Sequence, residues 1–190
     1  NCRFGVSLLK RSFEWTHAIN SLERHWMNQP DQDPASENEV ALSLPEGAPA
    51  RLPAVLIFGM PGVGKGTQGS LLGTMTVMFH VSTGSIFRNL DPESDDGRLI
   101  FGLIDRGELV PDEVAVQVWM RWLDSQIAAG HCNPVTDVLV LDGIPRRLRQ
   151  CELIEDYVDV LSVVPLEAES DEPIIERLKG RALTEGRADD

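Results

Sequence analysis

The feature that most constrains this chain is residues 55–68, Val-Leu-Ile-Phe-Gly-Met-Pro-Gly-Val-Gly-Lys-Gly-Thr-Gln. Residues 54–58 form a short apolar run, as expected of a strand buried on both faces. Glycines and a proline then cut the run, and Lys65 opens a helix-compatible segment. Gly59, Gly64 and Lys65 carry the G-x-x-x-x-G-K spacing of a phosphate-binding loop. Glycines let successive backbone N–H groups turn inward as an anion nest, and the following helix adds the positive end of its dipole. Lys65 supplies a movable charge for the outer phosphates. One position departs from the general pattern. Gly66 follows the lysine and the hydroxyl arrives one residue later, as Thr67. A metal is therefore held otherwise than by the lysine's neighbour.

A chain of 190 residues suits one domain with a core of its own. Apolar content of 42% and charged content of 25% are ordinary for a soluble globular protein. The net charge of −13 argues against nucleic acid as a partner, because no basic face can neutralise a phosphate backbone. A nucleotide needs only a few focused cations. Cys2, Cys132 and Cys151 are scattered, without a C-x-x-C pair, and read as free thiols of a reducing, cytoplasmic compartment. No apolar run reaches the length of a membrane span, so no membrane partner is expected.

Residues 6–26 space Val6, Leu9, Phe13, Ile19, Leu22 and Trp26 roughly as a helix does. Residues 28–53 are rich in Pro, Asp, Glu, Ser and Asn and read as a solvated linker. Residues 1–53 are thus expected to be an extension and linker, with the folded unit over 54–190. Strand-like runs at 54–58, 78–81, 137–141 and 160–166 alternate with helical segments near 67–75, 85–90, 98–106, 112–129 and 173–181. That alternation predicts an α/β fold, a parallel sheet with helices on both faces. Ligands of such sheets sit beyond the carboxyl ends of the strands, where Gly59, Ser82 and Asp142 would converge. Ser82 or Thr83 can cap the next helix, with Arg88 further along it as a second anion contact. Asp142 ends an apolar strand, which suits a carboxylate holding magnesium through water or one capping the next turn.

Five ordered segments carry a resemblance. They are Gly59-x-Pro-Gly-x-Gly-Lys-Gly-Thr-Gln68, His80-x-Ser-Thr-Gly84-x-x-x-Arg88, Gly107-Glu-Leu-Val-Pro-Asp-Glu113, Val140-Leu-Asp-Gly-Ile-Pro-Arg146 with Gln150, and Glu176-Arg177-Leu-Lys-Gly-Arg181 with Gly186-Arg187-Ala-Asp-Asp190. Together they resemble the adenylate kinase family of nucleoside monophosphate kinases. The Lys65-Gly66-Thr67 order is that family's usual form. The resemblance implies a P-loop core, a small monophosphate-binding subdomain at 84–110 and a short lid beginning at 181–190.

It also implies the partners and their sites. ATP would be held by Gly62, Val63, Gly64, Lys65, Gly66 and Thr67 with Arg177 and Arg181. The acceptor, AMP, would be surrounded by Thr83, Arg88, Glu108, Leu109, Val110, Gly143, Ile144, Pro145, Arg146, Gln150 and Arg187. Transfer would rest on Lys65, Arg146, Arg177, Arg181 and Arg187, with Mg2+ accompanying ATP and held by Asp142 through water. These types suit the roles. Guanidinium forks bind phosphate oxygens bidentately, and a Gln side chain offers the donor and acceptor that an adenine edge requires. The implied reaction is ATP + AMP = 2 ADP, carried out by a monomer. The alternatives are a UMP/CMP kinase, which Thr83 disfavours because those relatives usually carry alanine there, and a nucleotide-binding remnant without catalysis.

Three departures stand out. Ser85 occupies a usually acidic position, Ile144 replaces an aromatic, and residues 91–96 carry an acidic run. The chain also reads as C-terminally truncated. The last strand and closing helix of the family pattern lie past Asp190, which leaves a sheet edge expected to be unpaired.

Overall fold

A computed structural model describes residues 3–4, 42, 44–106, 108–168 and 170–185. The helical spacing read at 6–26 lies outside them. The strands are β1 (Arg3–Phe4), β2 (Leu52–Phe58), β3 (Met78–Ser82), β4 (Val138–Asp142) and β5 (Val158–Glu167). The helices are α1 (Lys65–Leu72), α2 (Thr83–Arg88), α3 (Asp95–Asp105), α4 (Asp112–Ala128), α5 (Leu148–Ile154) and α6 (Glu172–Glu185). The sheet runs in the order β1-β5-β2-β4-β3. β2 to β5 are mutually parallel, and β1 joins antiparallel.

Parallel neighbours need a crossover, so each strand is followed by helix before the chain returns. Side chains alternate across the strands, and both faces are buried. Leu52, Ala54, Leu56, Val81, Leu139 and Leu141 share the main core with Val116, Trp119, Met120 and Leu123 of α4. Ile57, Val140 and Leu166 point the other way, with Val63 of the glycine-rich turn and the half-buried Leu72 of α1. Helices therefore cover both faces, as the apolar runs predict. α4 carries this arrangement furthest, for Val118, Trp119 and Leu123 are all fully buried.

The observed boundaries differ from the sequence expectations in physically simple ways. β2 starts at Leu52, two residues early, because the backbone N–H of Leu52 donates to Tyr157 O (2.8 Å) and extends the pairing with β5. Arg51 reinforces this end through Nε and Nη2, which donate to Val158 O at 3.1 and 2.7 Å. Leu42 and Leu44, inside the segment read as linker, pack against the main core. The β5 edge, expected to be unpaired, carries β1 opposite Leu166 and Glu167. Cys132 and Cys151 are buried and in no disulfide, and burial pushes the pKa of the Cys132 thiol up to about 11. No described helix is long and apolar enough to cross a membrane.

Leu141 sits at the centre of the main core with no exposure. Leu141→Ala removes its transfer energy and leaves a cavity, a loss of about 2–5 kcal/mol. Urea denaturation should show the midpoint falling accordingly; a shift under about 1 kcal/mol would mean the strand is not held as described.

Candidate active site

Parallel register brings the ends of three strands level. Ile57 pairs with Asp142, and Asp142 pairs with Ser82. The chain leaving β2, β3 and β4 therefore emerges on one edge, and each exit carries chemistry.

From β2 comes the glycine-rich turn. Gly59 has φ 148°, and a Cβ there would lie 2.6 Å from Leu166 O, so no larger residue fits. Gly62 and Gly64 also have positive φ. α1 begins directly at Lys65, with its first N–H groups beside the turn. The Lys65 ammonium lies back across the turn, donating to Gly59 O (2.7 Å) and Met60 O (3.0 Å). Burial pushes it below its ordinary value, Asp142 pulls it up again, and Arg146 and Arg181 press it further down. Those three groups thus share one electrostatic neighbourhood with the lysine. α6 presses on the same turn. Arg177 Nη1 donates to Gly62 O at 3.4 Å, and a Cβ on Gly62 would lie 3.0 Å from both Ile174 and Leu178.

From β4 comes Asp142, buried, its Oδ2 3.6 Å from where a Cβ on Gly66 would stand. From β3 comes Ser82, which caps α2 by accepting from the Ser85 N–H (3.4 Å). Thr83 follows, with its hydroxyl buried and no hydrogen-bond partner. A buried orphan hydroxyl costs free energy unless something completes it. Thr83 faces Gly143, where a Cβ would lie 3.7 Å from Thr83 Cβ and 3.1 Å from an Arg146 guanidinium nitrogen. Arg88 folds back over Gly84, its Nη1 3.0 Å from the Cβ position there. Thr83, Gly143 and Arg146 therefore stand together next to Asp142.

The model of the family described as "Adenylate kinase" matches residues 57–189. Adenylate kinases of Flavobacterium psychrophilum and Thermobifida fusca are 36% and 38% identical to the chain over 142 residues. Those matches cover 72% of this chain and 70% or 71% of the relatives. The Parabacteroides distasonis adenylate kinase is 35% identical over a stretch of the same length. The chain belongs to the adenylate kinase family. It is therefore a nucleotide-binding phosphotransferase of the nucleoside monophosphate kinase class, built on a P-loop α/β core.

Most residues expected at an adenylate kinase site gather at this edge. Gly62 to Thr67 form the turn and the start of α1, Ile144 and Pro145 are buried beside Gly143, and Arg177 and Arg181 lie on α6. Glu108 and Leu109 are exposed, and Glu108 pairs with Arg106 at 2.9 Å; Val110 packs on the core. Arg187 and Gly107 lie outside the described residues. Gln150 differs from a simple base reader. Its Nε2 donates to Asp112 Oδ1 (2.7 Å), and its Oε1 accepts from the Arg146 N–H (2.7 Å). Among the described residues no three His, Cys, Asp or Glu side chains group as a metal cage. One buried carboxylate beside a phosphate nest fits magnesium, which keeps its waters and takes phosphate oxygens.

Sequence reasoning assigned no role to His80 or Asp112, although both stand inside the quoted motifs. The His80 ring fills a notch on α1, where a Cβ at Gly69 would lie 2.2 Å from Nε2 and one at Gly73 2.8 Å from His80 Cβ. Nε2 is 3.9 Å from Asp142 Oδ2 and otherwise unpartnered. Small residues facing an imidazole across strand and helix were the available signal, since Gly69 and Gly73 stand four apart on one helix face.

Gly69→Ala forces a methyl group into that ring, and overpacking of this kind costs about 1–3 kcal/mol. Adding His80→Ala in the same chain should recover most of the loss, read by thermal denaturation as non-additivity. Purely additive losses would show that the two do not meet.

Proposed function

We propose that the protein transfers the γ-phosphoryl group of ATP to AMP, giving two ADP. The observation that carries this reading is the Lys65 ammonium laid across the glycine-rich turn, with Asp142 beside Gly66 and with Arg146 and Arg181 close enough to act on its charge. Three cations and one carboxylate suit the meeting point of two phosphate chains and a divalent ion. The turn from Gly62 to Thr67 takes the ATP phosphates, with Arg177 and Arg181 closing over them from α6. The Lys65 ammonium leaves the carbonyls of Gly59 and Met60 for a phosphate oxygen, exchanging two neutral acceptors for a charged one. Asp142 would hold Mg2+ through water, which would supply neutralisation of charge on the outer phosphates.

The acceptor lies against Thr83, Gly143, Ile144, Pro145 and Arg146, with its phosphate drawn by Arg88, Arg146 and Arg187. The unpartnered Thr83 hydroxyl and the remaining donor and acceptor of Gln150 meet the base. Glu108 to Val110 form the outer wall of this subdomain, over 84–110, and the lid starts at 181–190. Transfer needs no covalent intermediate. The residues align the acceptor oxygen with the γ-phosphorus and exclude water.

Steady-state assays with AMP, CMP and UMP in parallel test this reading. AMP should give the largest kcat/KM, by about a hundredfold if two hydrogen-bonding groups discriminate at about 1–3 kcal/mol each. Lys65→Ala should lower kcat at least about a thousandfold with an unchanged melting temperature. Preference for CMP or UMP would refute the acceptor assignment, and full turnover in Lys65→Ala would refute the phosphate assignment.

A further inference from the structure

We infer that Asp112 is a positioning residue that sets the hydrogen-bond polarity of Gln150, and through it the choice between 6-amino and 6-oxo purine monophosphates. The inference rests on the proposed reading that Gln150 meets the acceptor base. A carboxamide can present its oxygen and nitrogen in either of two flips of nearly identical shape, so something else must choose between them. Here two partners of single polarity choose. The Asp112 side chain faces donors, with Arg147 Nη1 3.7 Å from its Oδ2, and the group that donates to its Oδ1 at 2.7 Å is the Gln150 NH2. The Arg146 backbone N–H can only donate, so the group facing it at 2.7 Å is Oε1.

The lock is buried, which gives it force. Asp112 and Gln150 are only 8% and 7% exposed, so the wrong flip would set a carboxylate against a carbonyl oxygen with little water to screen them. Asp112 is itself held at the start of α4, with Arg147 Nη1 3.7 Å from its Oδ2. The adjacent pair Arg149–Glu113 (2.7 Å) clamps α5 to the same helix start. The remaining N–H and the remaining lone pair of Gln150 are then fixed in place. An adenine edge offers an acceptor ring nitrogen beside a donor amino group, and hypoxanthine offers a donor beside an acceptor in the same outline. Shape cannot separate these bases, whereas a carboxamide of fixed polarity can.

The test is the ratio of kcat/KM for AMP to that for IMP, in the wild-type enzyme and in Asp112→Asn. The carboxamide introduced by that substitution can donate as well as accept, so the preference for one flip weakens while the outline is preserved. Wild type should favour AMP over IMP by a factor on the order of a thousand or more, as sites built on hydrogen bonds do. Asp112→Asn should cut that ratio at least about tenfold, mainly through the acceptor KM, with the KM for ATP unchanged. The AMP-to-CMP ratio, which depends also on base size, should fall less. A merely structural role would move both acceptors and ATP together. Both ratios come from the same folded molecules, so partial unfolding does not disturb them, and Asp112→Ala serves as a second variant if the first is insoluble. An unchanged AMP-to-IMP ratio overturns the inference alone. A wild-type enzyme that prefers CMP or UMP overturns the acceptor assignment and the inference with it.

Discussion

Parallel pairing of β2, β4 and β3 is the constraint on which the site depends. Because Ile57, Asp142 and Ser82 lie level across the sheet, the glycine-rich turn, the carboxylate and the capped helix leave it at one height. None of these groups is near another in sequence. The apolar side chains that hold the strands in register, Leu56, Val81, Leu139 and Leu141, therefore place the chemistry as well as the core. A slip of one residue would turn every side chain of a strand to the other face and carry Asp142 away from α1.

On that frame positive charge is gathered in excess around one carboxylate. Lys65 is partly desolvated and surrounded by Arg146 and Arg181, which would repel it, with Asp142 as the opposing charge. Its ammonium is held by two loop carbonyls. In the proposed reading a phosphate draws it from them and relieves repulsion among the neighbouring cations. α6 contributes from a different direction, seating Ile174 and Leu178 against Gly62 so that Arg177 and Arg181 share a rigid support with the turn.

How much of this was legible in the sequence depends on the range of the interaction. The strands and the turn were readable because apolar runs and glycine spacing are local; β2 and β5 each began two residues earlier than expected, since pairing extended them. The approach of Thr83, Gly143 and Arg146 was expected only through family resemblance, because it joins segments that follow separate strands. The partnerships of Asp112 with Gln150, 38 residues apart, and of His80 with Gly69 had no local signature. An aspartate in the first turn of a helix reads as a dipole partner, and only tertiary approach makes it the partner of a carboxamide. The pairing of β1 with β5 was likewise unreadable, because two residues carry no periodicity.

The central claim is that two nucleotide sites meet phosphate to phosphate at Lys65 and Asp142. Calorimetric titration with a bisubstrate ligand, two adenosines joined by a chain of phosphates, tests it most directly. The account predicts one ligand per chain, bound far more tightly than ATP or AMP alone and displacing both, because one molecule spans both sites without a second loss of translational freedom. Binding no tighter than that of AMP alone, or displacement of only one of the two nucleotides, would contradict it.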